Sequence, residues 1–286
     1  MEENDNPNSE HKANKMSFLE HLEVLRTILV RSIIVICVFT VIAFAYSDYI
    51  FDKIILAPTH IKDFPTYKVM CQASQWLGPV APWLGVDPQA GCIESFPFQL
   101  TTNTMGGDFM AVMLVAFIFG CIASAPYLFW QIWSFLRPAL REKEVKKAKG
   151  FVFWTSILFF LGVAFGYYVI SPLSISFLGT FSAHQDIVKL PTLNSYMGVL
   201  ASTTLATGAA FELPIVIYLL SSIGLITPDF LRKFRKHSVV VILIIAAIIT
   251  PPDVFSQIVV SIPLYLLYEI SILLSAMVQK RKAKEA

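Results

Sequence analysis

The chain has 286 residues, of which 56% are hydrophobic and 15% charged, and its formal net charge at pH 7 is only +2. A soluble domain carries about 25% charged residues, so the composition excludes an ordinary soluble protein. With a mean hydropathy of +0.65 and 23 phenylalanines, the chain is predicted to be a membrane protein.

Six apolar runs follow one another along the chain, and most of them reach the ~20 residues that a bilayer-spanning helix needs. They lie at 28–46, 109–135, 151–170, 196–223, 238–250 and 255–277. The predicted fold is therefore all-α, a polytopic membrane protein with six transmembrane helices.

The fifth run is shorter than the others. As a helix, residues 238–250 would rise about 20 Å, whereas the hydrocarbon core is ~30 Å thick. The run is followed by Thr250-Pro251-Pro252-Asp253, where proline ends one helix and starts the next. We therefore predict that helices five and six form a tight hairpin of two short helices, which thins the bilayer locally.

Lysine and arginine predict the orientation. Eighteen of the 22 basic residues lie in the amino-terminal region, the 2-3 loop, the 4-5 loop and the carboxyl-terminal end. The other side has Lys53, Lys62, Lys68 and Lys189. The positive-inside rule then places both termini in the cytoplasm, and the basic face serves topology and anionic lipid without indicating a nucleic-acid site.

The loops complete the predicted organisation. Residues 1–16 are polar and are expected to form a disordered cytoplasmic tail, residues 17–278 the membrane domain, and residues 279–286 a basic cytoplasmic tail. The external loop 47–108 has six prolines, which argue against long regular elements, and is expected to cap the fold. Cys71 and Cys92 lie in this loop, where they are either a disulfide or two free thiols.

Few residues could carry chemistry inside the membrane. Glu212, two residues before Pro214 in the fourth span, is either a carboxyl lining a cavity or a hydrogen-bonded tie between helices. Glu269 is expected to pair with a basic group, and Asp253 either to cap helix six or to act with Gln257 at the 5-6 turn. No catalytic or phosphate-binding motif can be assembled, so the sequence predicts neither an enzyme nor a cofactor.

The 2-3 loop sets two carboxylates among basic residues. Glu142 faces Lys146 and Glu144 faces Lys147 at helical spacing, and such pairs contribute only about 0.2–0.5 kcal/mol each. The alternative is that one of these acids binds an incoming cation.

Several short motifs follow one another from about residue 17 to residue 278. They are Glu20-His21-Leu22-Glu23-Val24-Leu25-Arg26, Ala57-Pro58, Ser124-Ala125-Pro126, Phe135, Pro138-Ala139-Leu140 with Glu144, Phe211-Glu212-Leu213-Pro214, and Thr250-Pro251-Pro252-Asp253-Val254-Phe255-Ser256-Gln257. In this order they resemble the motifs of the TatC component of the twin-arginine protein translocase.

The resemblance implies a function. That family exports folded proteins across energised membranes and receives signal peptides with two adjacent arginines. It implies that Glu144 meets the arginine pair, and that Phe135 and Arg26 belong to the same recognition surface. It also implies that Pro58, Glu212, Asp253 and Gln257 are functionally sensitive, the helices forming a concave groove.

The resemblance further implies partners and a location. The partners would be single-span amphipathic subunits of the TatA and TatB type, in a multimeric complex driven by the proton-motive force in a bacterial inner membrane. A proton-coupled small-solute transporter, with Glu212 as proton relay, and a structural scaffold are the alternatives.

The chain departs from the family pattern at Val24, where an acidic residue is common. Glu23 stands one position earlier, and one residue turns a helical side chain by about 100°. Glu20 and Glu23 share a helix face and could together supply the second carboxylate, although capping and solvation explain them equally well.

Overall fold

The computed structural model describes residues 18–61, 64–80, 92, 100–137, 150–180, 190–250 and 254–285. Those residues form helices and no strand, with a single β-bridge between Thr101 and Thr192. The α-helices are α1 (Phe18–Ala45), α2 (Ser47–Ile50), α3 (Pro65–Val80), α4 (Gly107–Leu136), α5 (Phe151–Phe165), α6 (Ser171–Thr180), α7 (Leu193–Ala210), α8 (Leu213–Ser222), α9 (Pro228–Lys233), α10 (Arg235–Ile249) and α11 (Val254–Glu285). Short π-helices at Phe51–Ile55 and Gly166–Ile170 and a 3-10 helix at Ala57–Thr59 connect some of them.

Five of the described helical stretches are long and apolar enough to cross a membrane. They are Leu22–Ala45, Gly107–Leu136, Phe151–Gly179, Leu193–Ser222 and Ser256–Lys280. The third contains a π-helical turn between α5 and α6, and the fourth is interrupted between α7 and α8. The all-α prediction is confirmed for the described residues, whereas the count of six transmembrane helices stays a prediction.

The predicted shortening of helices five and six is correct only for the first of them. Helix α10 has 15 residues, which rise about 22 Å. Helix α11 has 32 residues and is about 48 Å long, so the prediction of a short sixth helix was wrong. Helix α11 passes through Pro263 and reaches Glu285, because the residues after its apolar part are mostly good helix formers.

The segment that was predicted to be the external loop also differs from the prediction. Helix α3 has 16 residues and begins at Pro65, although the prolines of the loop argued against long regular elements. Proline is tolerated in the first helical turn, where its missing N–H group would have no partner. We refer to the side of the molecule that carries α3 and the Phe51–Thr59 turns as the cap end.

Besides a smaller cluster of Ile61, Phe64 and Tyr67, two large apolar clusters hold the described helices together. In one of them, Val260, Leu264 and Ile272 of α11 pack with Ile242 and Ala246 of α10. The other cluster lies at the cap end, where the end of α1 and the following turns pack against the start of α4 and of α7. Its fully or largely buried members include Ala43, Ile55, Ala111, Val115 and Met197. Because the end of α1 meets the start of α4, these two helices run antiparallel.

Glycine allows the third and fourth spans to approach closely. A Cβ atom at Gly162 would lie 2.8 Å from the Cβ of Phe211 and 2.9 Å from the Cα of Gly208. A Cβ atom at Gly166 would lie 2.9 Å from the carbonyl oxygen of Thr203. Gly162 and Gly166 are four residues apart, which is the small-xxx-small spacing of closely packed membrane helices. This motif was missed in the sequence, although its spacing is visible there.

Candidate functional site

The end of the molecule opposite the cap brings together residues from α1 and α4. Gly120 of α4 lies against Thr40 of α1, where an added Cβ would be 2.8 Å from the backbone nitrogen of Thr40. From this contact, Glu23 is 17 residues back along α1 and Phe135 is 15 residues further along α4. At 1.5 Å per residue these positions lie about 25 Å and about 22 Å from the contact. Glu23 and Phe135 are therefore at nearly the same level.

The side chains at this level differ in exposure. Glu23 and Arg26 are exposed on α1, whereas Phe135 is half-buried near the end of α4. Glu20 lies on the first turn of α1, but its side chain is outside the described part of the chain. The structure thus gathers Phe135, Glu23 and Arg26 at one end of the molecule.

The 2-3 loop starts and ends at this same level. The ring of Trp133, near the end of α4, stacks on the ring of Phe151, the first residue of α5, with centroids 4.5 Å apart. Glu142 and Glu144 lie outside the described residues, so the structure does not locate them. The described residues that flank this loop, up to Arg137 and from Gly150, lie at the end of the molecule that carries Glu23.

Glu212 occupies the interruption of the fourth span. It lies in the turn between α7 and α8, and Pro214 in the first turn of α8 is buried. The backbone carbonyl of Glu212 accepts hydrogen bonds from the N–H groups of Ile215 and Val216. Both carboxyl oxygens are buried and have no hydrogen-bond partner among the described residues. Because an unpaired buried polar group is costly, an incoming donor or cation would stabilise these oxygens.

The 5-6 turn is only partly described. The side-chain amide of Gln257 donates a hydrogen bond to the carbonyl oxygen of Leu243, 3.0 Å away, and so connects α11 to α10. Asp253 lies outside the described residues. Gln257 therefore has a structural contact that sequence reasoning did not predict.

Glu269 pairs with a basic residue, as the sequence predicted. The guanidinium of Arg235 donates to one carboxylate oxygen at 2.8 Å, and the hydroxyl of Tyr265 donates to the other at 3.0 Å. The pair connects the start of α10 to α11. Glu269 is thus explained by structure and is not a candidate for chemistry.

Pro58 is fully buried in the cap, where tyrosine hydroxyls hold the backbone around it. The hydroxyl of Tyr67 donates to the carbonyl oxygen of Pro58 at 3.0 Å. Tyr167 donates to Ile54 at 2.6 Å, and Tyr196 donates to Ile55 at 2.7 Å. These carbonyls lie at and beyond the end of a π-helical turn. The three tyrosines, which come from α3 and from the third and fourth spans, satisfy them.

Burial keeps the hydroxyl of Tyr67 protonated, so that it remains a hydrogen-bond donor. Tyr67 is buried, and desolvation raises the pKa of its phenol well above its usual value. The hydroxyl consequently keeps its proton and remains a donor to Pro58. Nothing in the local sequence around Pro58 indicated these tyrosines, because two of them are more than 100 residues away.

The two loop cysteines are joined. Cys71 on α3 and Cys92 form a disulfide with their Cα atoms 4.3 Å apart, which is the first of the two alternatives that the sequence left open. Cys37 and Cys121 are free. The described residues contain no cluster of three or more histidine, cysteine or acidic residues that could hold a metal ion.

Comparison with known proteins defines the family. A sequence model described as "Sec-independent protein translocase protein (TatC)" matches residues 20–263. The TatC protein of Blattabacterium sp. subsp. Periplaneta americana (strain BPLAN) is 36% identical over 272 residues, which cover 95% of this chain and 99% of the relative. TatCy of Bacillus subtilis (strain 168) is 30% identical over 275 residues, covering 96% and 94%.

The fold agrees with this comparison. A crystal structure described as the twin arginine translocase receptor TatC matches with a TM-score of 0.66 and 30% identity, covering 91% of this chain and 99% of that one. A second crystal structure of that receptor, in DDM, gives a TM-score of 0.67 at 30% identity, covering 89% and 99%.

The helices and these matches define a multi-pass membrane protein of the class that takes part in protein transport, which is not an enzymatic role. The chain belongs to the TatC family of Sec-independent protein translocase proteins. The resemblance found in the sequence motifs is thereby confirmed.

Proposed function

We propose that this protein is the signal-peptide receptor core of a twin-arginine translocase. The observation that carries the proposal is the shared level of Glu23, Arg26 and Phe135, next to the two ends of the loop that contains Glu144. In this proposal Glu144 is the main contact of the arginine pair, and Phe135 packs beside the bound peptide.

The chemistry of the arginine pair suits this end of the molecule. Guanidinium is planar and permanently charged and can bind a carboxylate through two parallel hydrogen bonds, which lysine cannot do. A second carboxylate is available from Glu20 or Glu23. Charged hydrogen bonds contribute about 1.5–3 kcal/mol each, and less where water competes. Binding would therefore be selective for arginine and still reversible.

The rest of the receptor follows from the same proposal. The apolar part of the signal would lie along a concave groove of the helices and approach Glu212, whose oxygens lack a described partner. Both termini would be cytoplasmic and the cap end external, in a bacterial inner membrane. Single-span amphipathic subunits of the TatA and TatB type would assemble on this core, and the proton-motive force would supply the energy.

The test is photo-crosslinking of a twin-arginine signal peptide to the protein in membranes. Glu144→Gln removes one charged contact, so we expect capture to fall by about tenfold, which corresponds to about 1.4 kcal/mol. Glu142→Gln, in the same loop, is the matched control and should keep wild-type capture. A signal with two lysines should be captured weakly by all three proteins. Equal capture of both signals by wild type and by Glu144→Gln would refute the proposal.

A proton-coupled transporter remains the second candidate, because Glu212 has unpartnered oxygens at an interruption of a span. Such a protein would carry protons on its own. Liposomes that contain only this chain should show no proton flux above that of Glu212→Gln if the receptor proposal is correct. Flux that depends on Glu212 would favour the transporter. A structural scaffold would bind partners but would not distinguish arginine from lysine signals.

A further inference from the structure

A cavity of about 310 Å³ lies between α4, α5 and α7 at the cap end. Lys53, Ile54 and Ile55 line its cap end, and Ile122 and Phe160 line its deep end. From Val115 to Ile122, both of which line it, α4 rises about 10 Å. The cavity is therefore a narrow apolar slot that runs from the cap end toward the middle of the membrane.

The slot has one cation at its cap end. Lys53 is exposed, and among the described residues it has no ion-pair partner. Its neighbour Asp52 is exposed and does not line the slot. Tyr167 and Tyr168 flank the same end, and aromatic rings of this kind are enriched at the level of lipid headgroups. A ligand that fits must combine an apolar tail with an anionic head.

The size of the slot bears on what can enter it. Its volume is at the lower end of ligand pockets, which hold about 300–1,000 Å³. A slot of this volume, lined mainly by apolar side chains over about 10 Å of α4, fits a segment of a hydrocarbon chain.

We propose that this slot binds an acyl chain of an anionic phospholipid from the leaflet on the cap side, with the phosphate paired to Lys53. Charge complementarity determines the choice of lipid, because each basic group near a membrane surface contributes about 1 kcal/mol to binding of anionic lipid. The apolar walls provide the affinity for the tail. The inference does not depend on the contacts proposed for the arginine pair, since the slot is at the opposite end from Glu23 and Phe135.

The test uses photoactivatable phosphatidylglycerol and phosphatidylcholine with identical acyl chains, each in nanodiscs with the full-length protein. Labelled peptides are mapped by mass spectrometry. We expect labelling of 115–122 and 160–168 by phosphatidylglycerol to exceed that by phosphatidylcholine about fivefold. Lys53→Gln should abolish this preference. Lys68→Gln, an exposed cap lysine that does not line the slot, should retain it.

A second variant tests the tail. Ala164→Phe fills the wall of the slot and should reduce labelling by both lipids, whatever their head group. Lys53→Gln changes an exposed side chain and keeps the test decisive if Ala164→Phe does not fold. The proposal is overturned if Lys53→Gln keeps the preference, if Lys68→Gln loses it equally, or if a photoreactive single-span peptide labels the slot where neither lipid does.

Discussion

Replacing Gly162 by alanine tests the glycine contact between the third and fourth spans. The added Cβ would lie 2.8 Å from the Cβ of Phe211 and 2.9 Å from the Cα of Gly208, whereas ordinary van der Waals contact is 3.4–4 Å. The helices must therefore separate by about 0.5 Å or more. Overpacking of this kind costs about 1–3 kcal/mol, and the better helix propensity of alanine offsets about 1 kcal/mol of that.

Gly198→Ala is the matched control, because Gly198 is also inside a helix and an added Cβ there meets nothing within 4 Å. This variant gains the better helix propensity of alanine without the cost of overpacking. The free energy of unfolding is measured for both variants by SDS titration in mixed micelles. We expect Gly162→Ala to be less stable than Gly198→Ala by about 1–3 kcal/mol. Equal stability of the two variants would refute the close-packing argument.

The remaining predictions concern the cap. Tyr196→Phe should lower the free energy of unfolding by about 1–2 kcal/mol, because it leaves the buried carbonyl of Ile55 without its donor. Tyr49→Phe is the control, since the side chain of Tyr49 is 65% exposed and its loss should change the stability little. Equal losses in the two variants would contradict the hydrogen bond from Tyr196 to Ile55. Replacing both Cys71 and Cys92 by serine should destabilise the cap by about 3 kcal/mol, on the chain-entropy estimate for 21 residues. The loss of stability is measured by limited proteolysis of the cap. A reductant should make the wild-type cap as sensitive to the protease as that of the variant. If the cap of the variant is as resistant as that of the untreated wild type, the estimate is wrong.

Prediction from the sequence succeeded best where the signal is local. Hydrophobicity placed the five helical stretches that are long and apolar enough to cross a membrane, because a stretch of about 20 apolar residues has few structures open to it other than a membrane helix. That Glu269 pairs with a basic residue was also predictable, since a carboxylate close to the basic end of a membrane helix is stabilised by a nearby cation. The partner, Arg235, is 34 residues away and was not predicted.

Two elements were wrongly predicted for identifiable reasons. The sixth helix was expected to be short as the partner of the short fifth helix in a tight hairpin, but the turn between two helices determines where α11 starts and not where it ends. The prolines of the predicted external loop led to the second error, since proline at the first position of a helix is compatible with it. In both cases a feature at one end of a segment was taken to determine residues far from it.

The sequence by itself determined the class, the positions of five long spans, the shortness of α10 and the family, because each of these depends on composition or on motifs within a few residues. Only the tertiary structure decided which distant groups meet. The three tyrosines that hold the backbone at Ile54, Ile55 and Pro58 come from other elements, and the level shared by Glu23 and Phe135 depends on the antiparallel packing of α1 and α4. These contacts join segments up to 141 residues apart, and no local pattern encodes them.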